Sequence, residues 1–315
     1  CRVERNVAYL TLDHVTSYGG GIYAKDCQGL LLDGCTVEGN VTHGDSWHSR
    51  GFGGGVFSLN TSGTVVNCVF RTNTAMSLGG NTLYSYSFGG ALCHQGSGGW
   101  SFVQSALVSN EARNTYSPAG YGGALYLGGG THSLRHVLIA TNSSALEGDG
   151  VYVGGNALGD DGALMGPATV RVTHATIAFN PGEGIRRYNG IVGVTNSILW
   201  VNGDDLVGIT NDVGYTCIGN GDFDGTNGCL SLDPLFVDPI YCHLSSRSGY
   251  YAGGYFTGGT WARTNVFSPL IDKGLRLPEP FVEPEPNGLR PNLGAYGNSS
   301  VASLSPNVGT LLIVR

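Results

Sequence analysis

The sequence has 315 residues, 53 glycines and a net charge of −7, and only 12% of its side chains are charged. Glycine does not recur at every third position, which excludes a collagen. The 41% of hydrophobic residues is enough for a core and excludes a disordered chain. Negative charge without a basic block excludes nucleic-acid binding through phosphates, and no apolar run of about 18 residues is present that could span a membrane.

Two short motifs alternate along the chain. A glycine-rich opening followed by apolar residues begins at residues 20, 54, 89 and 122, with weaker copies at residues 148 and 182. After each opening come an apolar residue, two residues of any kind and an asparagine. This position is occupied by Asn40, Asn73, Asn110, Asn142, Asn180 and Asn202. Self-similarity with a period in the range of about 20–50 residues is typical of solenoid proteins.

The residues before each asparagine indicate strands. Three and five places before it, as at Val37 and Cys35, the side chains are small or apolar, which is the two-residue period of a β-strand. We therefore predict an all-β fold, a single-stranded right-handed parallel β-helix whose coils lie in residues 1–230. At roughly 30 residues per coil, the 315 residues of the chain correspond to about ten coils. The asparagines are predicted to occupy a left-handed bend and to form a ladder of hydrogen-bonded amides.

The paired motifs resemble the repeats of chlamydial polymorphic outer-membrane proteins, which are Gly-Gly-Ala followed by Ile, Leu or Val, and Phe-x-x-Asn. Residues 89–92 and 122–125 match the first repeat and residues 70–73 the second. This resemblance covers about residues 19–202 and implies the right-handed β-helical passenger of an autotransporter with a role in adhesion.

The C-terminal part is similar to the closing segments of secreted bacterial β-helix surface proteins. The similarity lies in residues 233–238, 268–274 and 292–297. We accordingly predict that residues 231–315 are a closing segment of the same domain, an arm that wraps the last coils and covers their open edge.

The cysteines offer candidate disulfides. Eight cysteines beside two methionines fit an oxidising, extracellular setting. Cys35 and Cys68 share one column a coil apart, which places them within reach of a disulfide, while two stacked free thiols acting as apolar fillers are the alternative. Cys217 and Cys229 flank a short loop and are predicted to staple it.

One loop offers a metal site, and calcium is the only cofactor that the sequence suggests. Asn220, Asp222 and Asp224 match the opening of an oxygen-rich calcium loop. Ser231 stands where such a loop carries its last acid, and glycine-aspartate turns of this kind also occur without metal.

Other polar groups have a catalytic and a structural interpretation. The acid pairs Asp160–Asp161 and Asp204–Asp205 have the residue type that glycosidases use, and Arg186–Arg187 the type that β-helical lyases use, but solvated turns are favoured for all of them. His136 and His174 are predicted to stack as a polar ladder on an outer face. The aromatic residues between 241 and 261 suit either sugar stacking or packing on the solenoid.

The sequence thus predicts a non-catalytic structural or adhesive protein located outside the cell or at its surface. Its expected partners are glycans, other surface molecules, or further copies of itself. Head-to-tail filaments are one form of this hypothesis, with a self-assembly strand formed by Leu311, Leu312, Ile313 and Val314. The alternatives on the same fold are a polysaccharide lyase or hydrolase and a glycan-binding module.

Overall fold

The computed structural model describes residues 1–10, 16–78, 85–116, 119–155 and 166–306. Within these ranges the chain forms strands, turns and bends, and none of it is a helix that could cross a membrane. The strands, numbered in chain order, are β1 (Arg2–Glu4), β2 (Val7–Leu10), β3 (Thr16–Tyr18), β4 (Ile22–Lys25), β5 (Gln28–Asp33), β6 (Thr36–Glu38), β7 (Val41–Gly44), β8 (Arg50–Phe52), β9 (Val56–Leu59), β10 (Ser62–Val66), β11 (Val69–Arg71), β12 (Thr74–Ser77), β13 (Tyr86–Phe88), β14 (Leu92–Gln95), β15 (Gly99–Val108), β16 (Glu111–Asn114), β17 (Gly120–Tyr121), β18 (Leu125–Gly128), β19 (Thr131–Ala140), β20 (Ser143–Ser144), β21 (Val151–Val153), β22 (Ala168–Ala178), β23 (Glu183–Arg187), β24 (Gly190–Thr195), β25 (Ile198–Trp200), β26 (Asp204–Val207), β27 (Val213–Gly214), β28 (Cys217–Ile218), β29 (Tyr250–Ala252) and β30 (Thr260–Ala262).

The strands stack into four parallel sheets, which confirms the predicted parallel β-helix. Sheet A follows the path β1-β6-β11-β15-β19-β22-β24-β27, with β5, β10, β25 and β28 paired alongside. Sheet B is β2-β7-β12-β16-β20, sheet C is β3-β8-β13-β17, and sheet D is β4-β9-β14-β18-β21-β23-β26. Register is kept from turn to turn, as where Phe70 lies beside Val37 and Leu107. Among the described strands only β29 and β30 pair antiparallel, and one isolated antiparallel bridge joins Phe236 to Leu244.

The solenoid is shorter than the predicted ten coils. Each full turn contributes one strand to sheet B, and sheet B has five strands. The longest path through sheet A has eight strands. The late levels are shortened, since Asn180 and Asn202 are 22 residues apart whereas Asn142 and Asn180 are 38 apart. Residues 231–306 leave the stack, and their length was wrongly divided into coils.

The left-handed bend was predicted at the asparagine, but the structure places it one residue earlier. The left-handed backbone falls on the preceding position, with φ of 53° at Thr72 and 54° at Ser109, while the asparagine itself turns its side chain inward. The bend can therefore hold Phe179 or Val201 at the strained position. Side-chain amides on the next residue supply the compensating hydrogen bonds.

The glycine corner between sheets C and D needs two glycines for two reasons. Gly89 has a φ of 64°, a conformation that favours glycine. Gly90 lies so close to its neighbours that a Cβ atom would stand 2.2 Å from the carbonyl oxygen of Gly123. The first glycine sets the turn, and the second allows two backbones to touch.

The interior holds one apolar core, and a second, aromatic cluster joins sheets C and D. Along sheet C the rings of Phe52, Phe88 and Tyr121 stack with centroids 4.8 and 5.5 Å apart. On sheet D, Tyr126 and Tyr152 stack at 5.3 Å. These columns give the solenoid a second buried layer beside its core.

Charged residues that form an ion pair occupy the next positions after the last aromatic residues of the two columns. Glu147 occupies the next position after Tyr121 in the sheet C column, and Arg186 the next after Tyr152 in sheet D. Arg186 donates to Glu147 at 2.7 Å and to Glu183 at 2.6 Å. All three charged side chains are partly shielded from solvent.

The C-terminal residues to 306 lie on the outer face of sheet A. Tyr296 and Val301 pack on Leu138 and Ala140 of β19. The backbone N–H of Ala295 donates to Thr176 Oγ1 at 3.0 Å, and that of Gly294 to the carbonyl of Asn196 at 2.9 Å. The segment therefore covers the middle and late levels of the stack. The predicted division of the domain at residue 230 stays a prediction.

Candidate functional site

The six asparagines are joined into one hydrogen-bonded column. Oδ1 of Asn110 accepts from the backbone N–H and from Nδ2 of Asn73, at 3.1 and 2.9 Å. Nδ2 of Asn110 donates in turn to Oδ1 of Asn142 and to the carbonyl of Phe70. The same pattern runs through Asn40, Asn73, Asn110, Asn142, Asn180 and Asn202. These amides stabilise the frame and are not available to a ligand.

The column has two further members, one at each end. Asn6 donates to Oδ1 of Asn40 at 2.8 Å, and Val3 stands three places before it, so the repeat motif was present in the sequence. At the other end the carboxylate of Asp205 accepts from Asn202. Asp205 is 1% exposed and is not a solvated turn residue, unlike its exposed neighbour Asp204.

The candidate disulfide cysteines belong to a second polar column. All eight cysteines are free thiols. The backbone N–H of Cys35 donates to Sγ of Cys68 at 3.2 Å, and that of Cys68 to Oγ of Ser105 at 3.1 Å. Each thiol or hydroxyl donates to the carbonyl two residues earlier. In-register parallel neighbours keep their Cβ atoms about a strand spacing apart, near 4.8 Å, which exceeds the usual Cβ separation in a disulfide.

Cys217 and Cys229 are also separate thiols rather than a loop staple. Cys217 Sγ donates to the carbonyl of Leu232 at 3.1 Å. Burial raises the pKa of Cys217 to about 11, which keeps the thiol protonated and unreactive. Cys217 pairs in the stack with Leu230, the residue after Cys229.

The candidate calcium residues contact one another. Nδ2 of Asn220 donates to Asp204 at 3.0 Å and to Asp222 at 3.1 Å, and Oδ1 of Asn220 accepts the backbone N–H of Asp222. In the part of the chain that the structure describes, no three His, Cys, Asp or Glu side chains converge as metal ligands. Calcium binding by Asn220, Asp222 and Asp224 stays a prediction.

The two histidines of the predicted ladder do stack, but they are buried rather than exposed on an outer face. The rings of His136 and His174 are parallel at 5.1 Å. Both are buried beneath the C-terminal segment, where the carbonyl of Ala295 lies 3.1 Å from Nδ1 of His136. Burial lowers the pKa of His136 to about 4 and that of His174 well below its ordinary value. The face that carries them is an internal contact surface.

The remaining predicted residues fall into three groups. Of the aromatic residues between 241 and 261, Tyr251, Tyr255 and Phe256 pack on the cluster beneath the C-terminal segment, while Trp261 is 48% exposed. Arg186 is held in its ion pairs, and Arg187 donates to the carbonyl of Gly208. The pair Asp160–Asp161 and the self-assembly strand 311–314 lie outside the described residues.

A polar groove of about 590 Å³ on the outer face of sheet B is the best candidate binding site. It lies across β16 and β20 and is lined by Glu111, Arg113, Asn114, Thr115, Tyr116, Ser143, Ser144 and Ala145. Alternation along β16 positions the charged pair, because Glu111 and Arg113 flank the fully buried Ala112 and so face outward together. Sequence reasoning missed this groove because Ser143 and Ser144 reach it from the next turn.

Glu111, Arg113 and Tyr116 present their side chains to the groove, whereas Asn114 donates to the carbonyl of Ser85 at 2.8 Å. Glu111 and Arg113 form no ion pair or hydrogen bond with the described residues, and the ring of Tyr116 is 67% exposed. Ser144 is fixed from behind, since its hydroxyl donates at 2.6 Å to the buried carboxylate of Asp149. An acid, a base, hydroxyls and a flat ring on rigid strands can together bind a hydroxylated molecule.

Comparison with known proteins found no relative of this chain. No protein-family model matches the chain, and neither the curated proteins nor the solved structures include a significant match.

Proposed function

We propose that this chain is an adhesive β-helix of the cell surface or the extracellular space, which binds a glycan in the groove on sheet B and leaves it unchanged. The observation that carries the proposal is that Glu111 and Arg113, which have no partner among the described residues, lie beside the exposed ring of Tyr116. Sugar hydroxyls can bond to a carboxylate and a guanidinium together, and a sugar's C–H face can pack on a tyrosine ring.

Two further features support an adhesive function. The repeats resemble those of polymorphic outer-membrane proteins, and the C-terminal segment resembles that of secreted bacterial β-helix proteins. The asparagine ladder and the contact between His136 and Ala295 are structural hydrogen bonds of the interior. A frame of this kind holds surface groups in fixed positions, which lowers the entropic cost of binding.

A glycan array probed with the purified chain tests the proposal. Wild-type protein should bind a restricted set of glycans, and Tyr116→Ala and Arg113→Gln should each weaken that binding about tenfold or more. Tyr188→Ala is the matched control, because Tyr188 is 56% exposed but lies outside the groove. Absence of binding to every glycan, or equal loss in the control, would overturn the proposal. Cleavage of a bound glycan would favour the alternative of a polysaccharide-active enzyme.

A further inference from the structure

A second depression lies on the outer face of sheet A, away from the groove on sheet B. It encloses about 290 Å³ and crosses the first halves of β10, β15, β19 and β22. We call it the hydroxyl trough. Its lining hydroxyls are Ser62, Thr64, Ser101, Thr131 and Ser133, and its one exposed charged side chain is Arg171.

The parallel register arranges these hydroxyls in rows. Thr64, Ser101, Ser133 and Arg171 are successive partners across four strands. Ser62, Gly99 and Thr131 form the neighbouring row. Parallel strands are about 4.8 Å apart, so the row from Thr64 to Arg171 presents hydrogen-bonding groups at that interval.

Every one of these polar groups is free to bond outward. None of the five hydroxyls donates to or accepts from a described residue through its side chain, and the guanidinium of Arg171 has no ion-pair partner among the described residues. By contrast, Arg135 on the adjacent outward column is paired with Glu279. An unpaired arginine among donors suits an anionic group, which a guanidinium can bind through two parallel hydrogen bonds.

The floor of the trough lets a ligand come close to the backbone and holds the lining residues in place. Gly29, Gly63 and Gly99 line it, so that its floor is backbone at these three positions. Beneath Gly63 the ring of Trp100 fills the interior so closely that a Cβ atom on Gly63 would stand 2.5 Å from it. The Trp100 indole is itself held by a 2.8 Å hydrogen bond to Ser58. The rows therefore rest on a packed base that keeps their spacing.

We infer that the hydroxyl trough is a binding site for a sugar carrying a carboxylate or sulfate group. Arg171 binds the anionic group, and the serine and threonine rows bond to the sugar's hydroxyls. No carboxylate lines the trough among the described residues to oppose an anion. A volume at the lower end of the usual range of about 300–1,000 Å³ fits one sugar unit. The site is separate from the groove on sheet B, so the two sites can be tested independently.

Calorimetric titration with three probes tests the inference: a sulfated oligosaccharide, its unsulfated counterpart of equal length, and inorganic sulfate. The sulfated sugar should bind, and Arg171→Gln should weaken it about tenfold or more, whereas Arg171→Lys should retain part of the affinity. Arg263→Gln is the charge-matched control, because Arg263 is exposed and lies outside both sites, and it should bind the sulfated sugar like the wild type. Loss through Arg113→Gln with none through Arg171→Gln would place the anion in the groove on sheet B and overturn the inference.

The other two probes identify what is recognised. Equal binding of the unsulfated sugar would show that the anionic group is not required, which overturns the inference. Inorganic sulfate that binds as tightly as the sulfated sugar would show that the sugar is not required, with the same consequence. If the sulfated sugar alone binds with high affinity, and rising salt weakens it, the inference holds.

Discussion

Nδ2 of Asn202 donates to Oδ1 of Asp205 at 2.7 Å, and this contact ends the asparagine ladder. The other oxygen of Asp205 accepts the backbone N–H of Asn220 at 3.1 Å. An asparagine at the end of such a column would leave one amide donor to be satisfied by the next turn, whereas a carboxylate only accepts. Asp205 therefore lets the ladder end inside the protein and ties it to the loop of residues 219–225.

Replacing an interior asparagine should destabilise the fold more than replacing the first one. Asn110→Ala removes the acceptor of the buried N–H of Asn73 and one of the two acceptors of its Nδ2. We expect it to lower the free energy of unfolding by about 2–5 kcal/mol. Asn6 is exposed and only donates to Asn40, so Asn6→Ala should cost about 1 kcal/mol or less. Urea unfolding of both variants measures the difference, and equal costs would show that the ladder is not a cooperative element.

The second glycine of the corner should not tolerate a side chain. Gly90→Ala places a Cβ atom against the backbone of Gly123 and Glu111. We expect a loss of stability of about 3 kcal/mol or more, or failure to fold. Gly166→Ala is the control, because no atom of the described residues lies within 4 Å of its Cβ position. Thermal melts compare the two variants, and a Gly90→Ala protein as stable as the control would refute the close approach.

Thiol titration distinguishes ladder cysteines from disulfides. Cys1 and Cys27 are exposed and the other six cysteines are buried. A thiol reagent should thus react quickly with two groups in the native protein and with all eight after denaturation without reductant. A total below eight in denaturant would show that disulfides form in the protein as isolated.

Acid should weaken the fold through its buried histidines. Burial lowers the pKa of His94 to about 3, and that of His132, His136 and His243 to about 4. The unfolded chain binds protons near pH 6.5 while the folded chain does not, so stability should fall as pH drops from about 6.5 to 4. Each histidine contributes about 2 kcal/mol between pH 7 and pH 5. Urea unfolding at these two values measures the sum, and an unchanged midpoint would contradict burial of the neutral rings.

Glu283 should have the opposite effect. It is 6% exposed, and its Oε1 accepts the N–H groups of Asn292 and Asn298, both at 2.7 Å. Burial raises its pKa to about 7, so its folded form keeps a proton that the unfolded chain has lost. Stability should therefore fall as pH rises from about 4.5 through 7.

The variant Glu283→Gln isolates this effect, since an amide oxygen keeps the two hydrogen bonds without a charge. The variant should match the wild type at pH 5 and exceed it by about 2 kcal/mol at pH 8. A variant less stable than wild type at pH 8 would show that the ionised carboxylate is the stabilising form.

The repeat could be predicted from sequence because its positions are periodic. Phe70 and Asn73 occupy the same columns as Leu107 and Asn110, so a one-dimensional comparison finds them. Contacts made once are invisible to such a comparison. The hydrogen bond between His136 and the carbonyl of Ala295 joins residues 159 positions apart, and no repeated pattern in the sequence predicts it. For Cys35 and Cys68 the sequence left a disulfide and two stacked thiols both open, because only the contact with Ser105 shows that thiols and a hydroxyl fill one column.

The candidate sites depend on neighbouring turns and were missed for that reason. The groove on sheet B combines Arg113 with Ser143, and the hydroxyl trough combines Thr64 with Arg171. The sequence indicated a surface without a catalytic set, but the residues that face outward together follow only from the register.

A calorimetric titration of the best array glycan into the wild-type chain tests the proposed adhesive function most directly. The account predicts heat that saturates near one equivalent per groove, reduced in Tyr116→Ala and unchanged in Tyr188→Ala. Binding heat that is absent, or heat that continues steadily as the glycan is consumed, would contradict a protein that binds a glycan and leaves it intact.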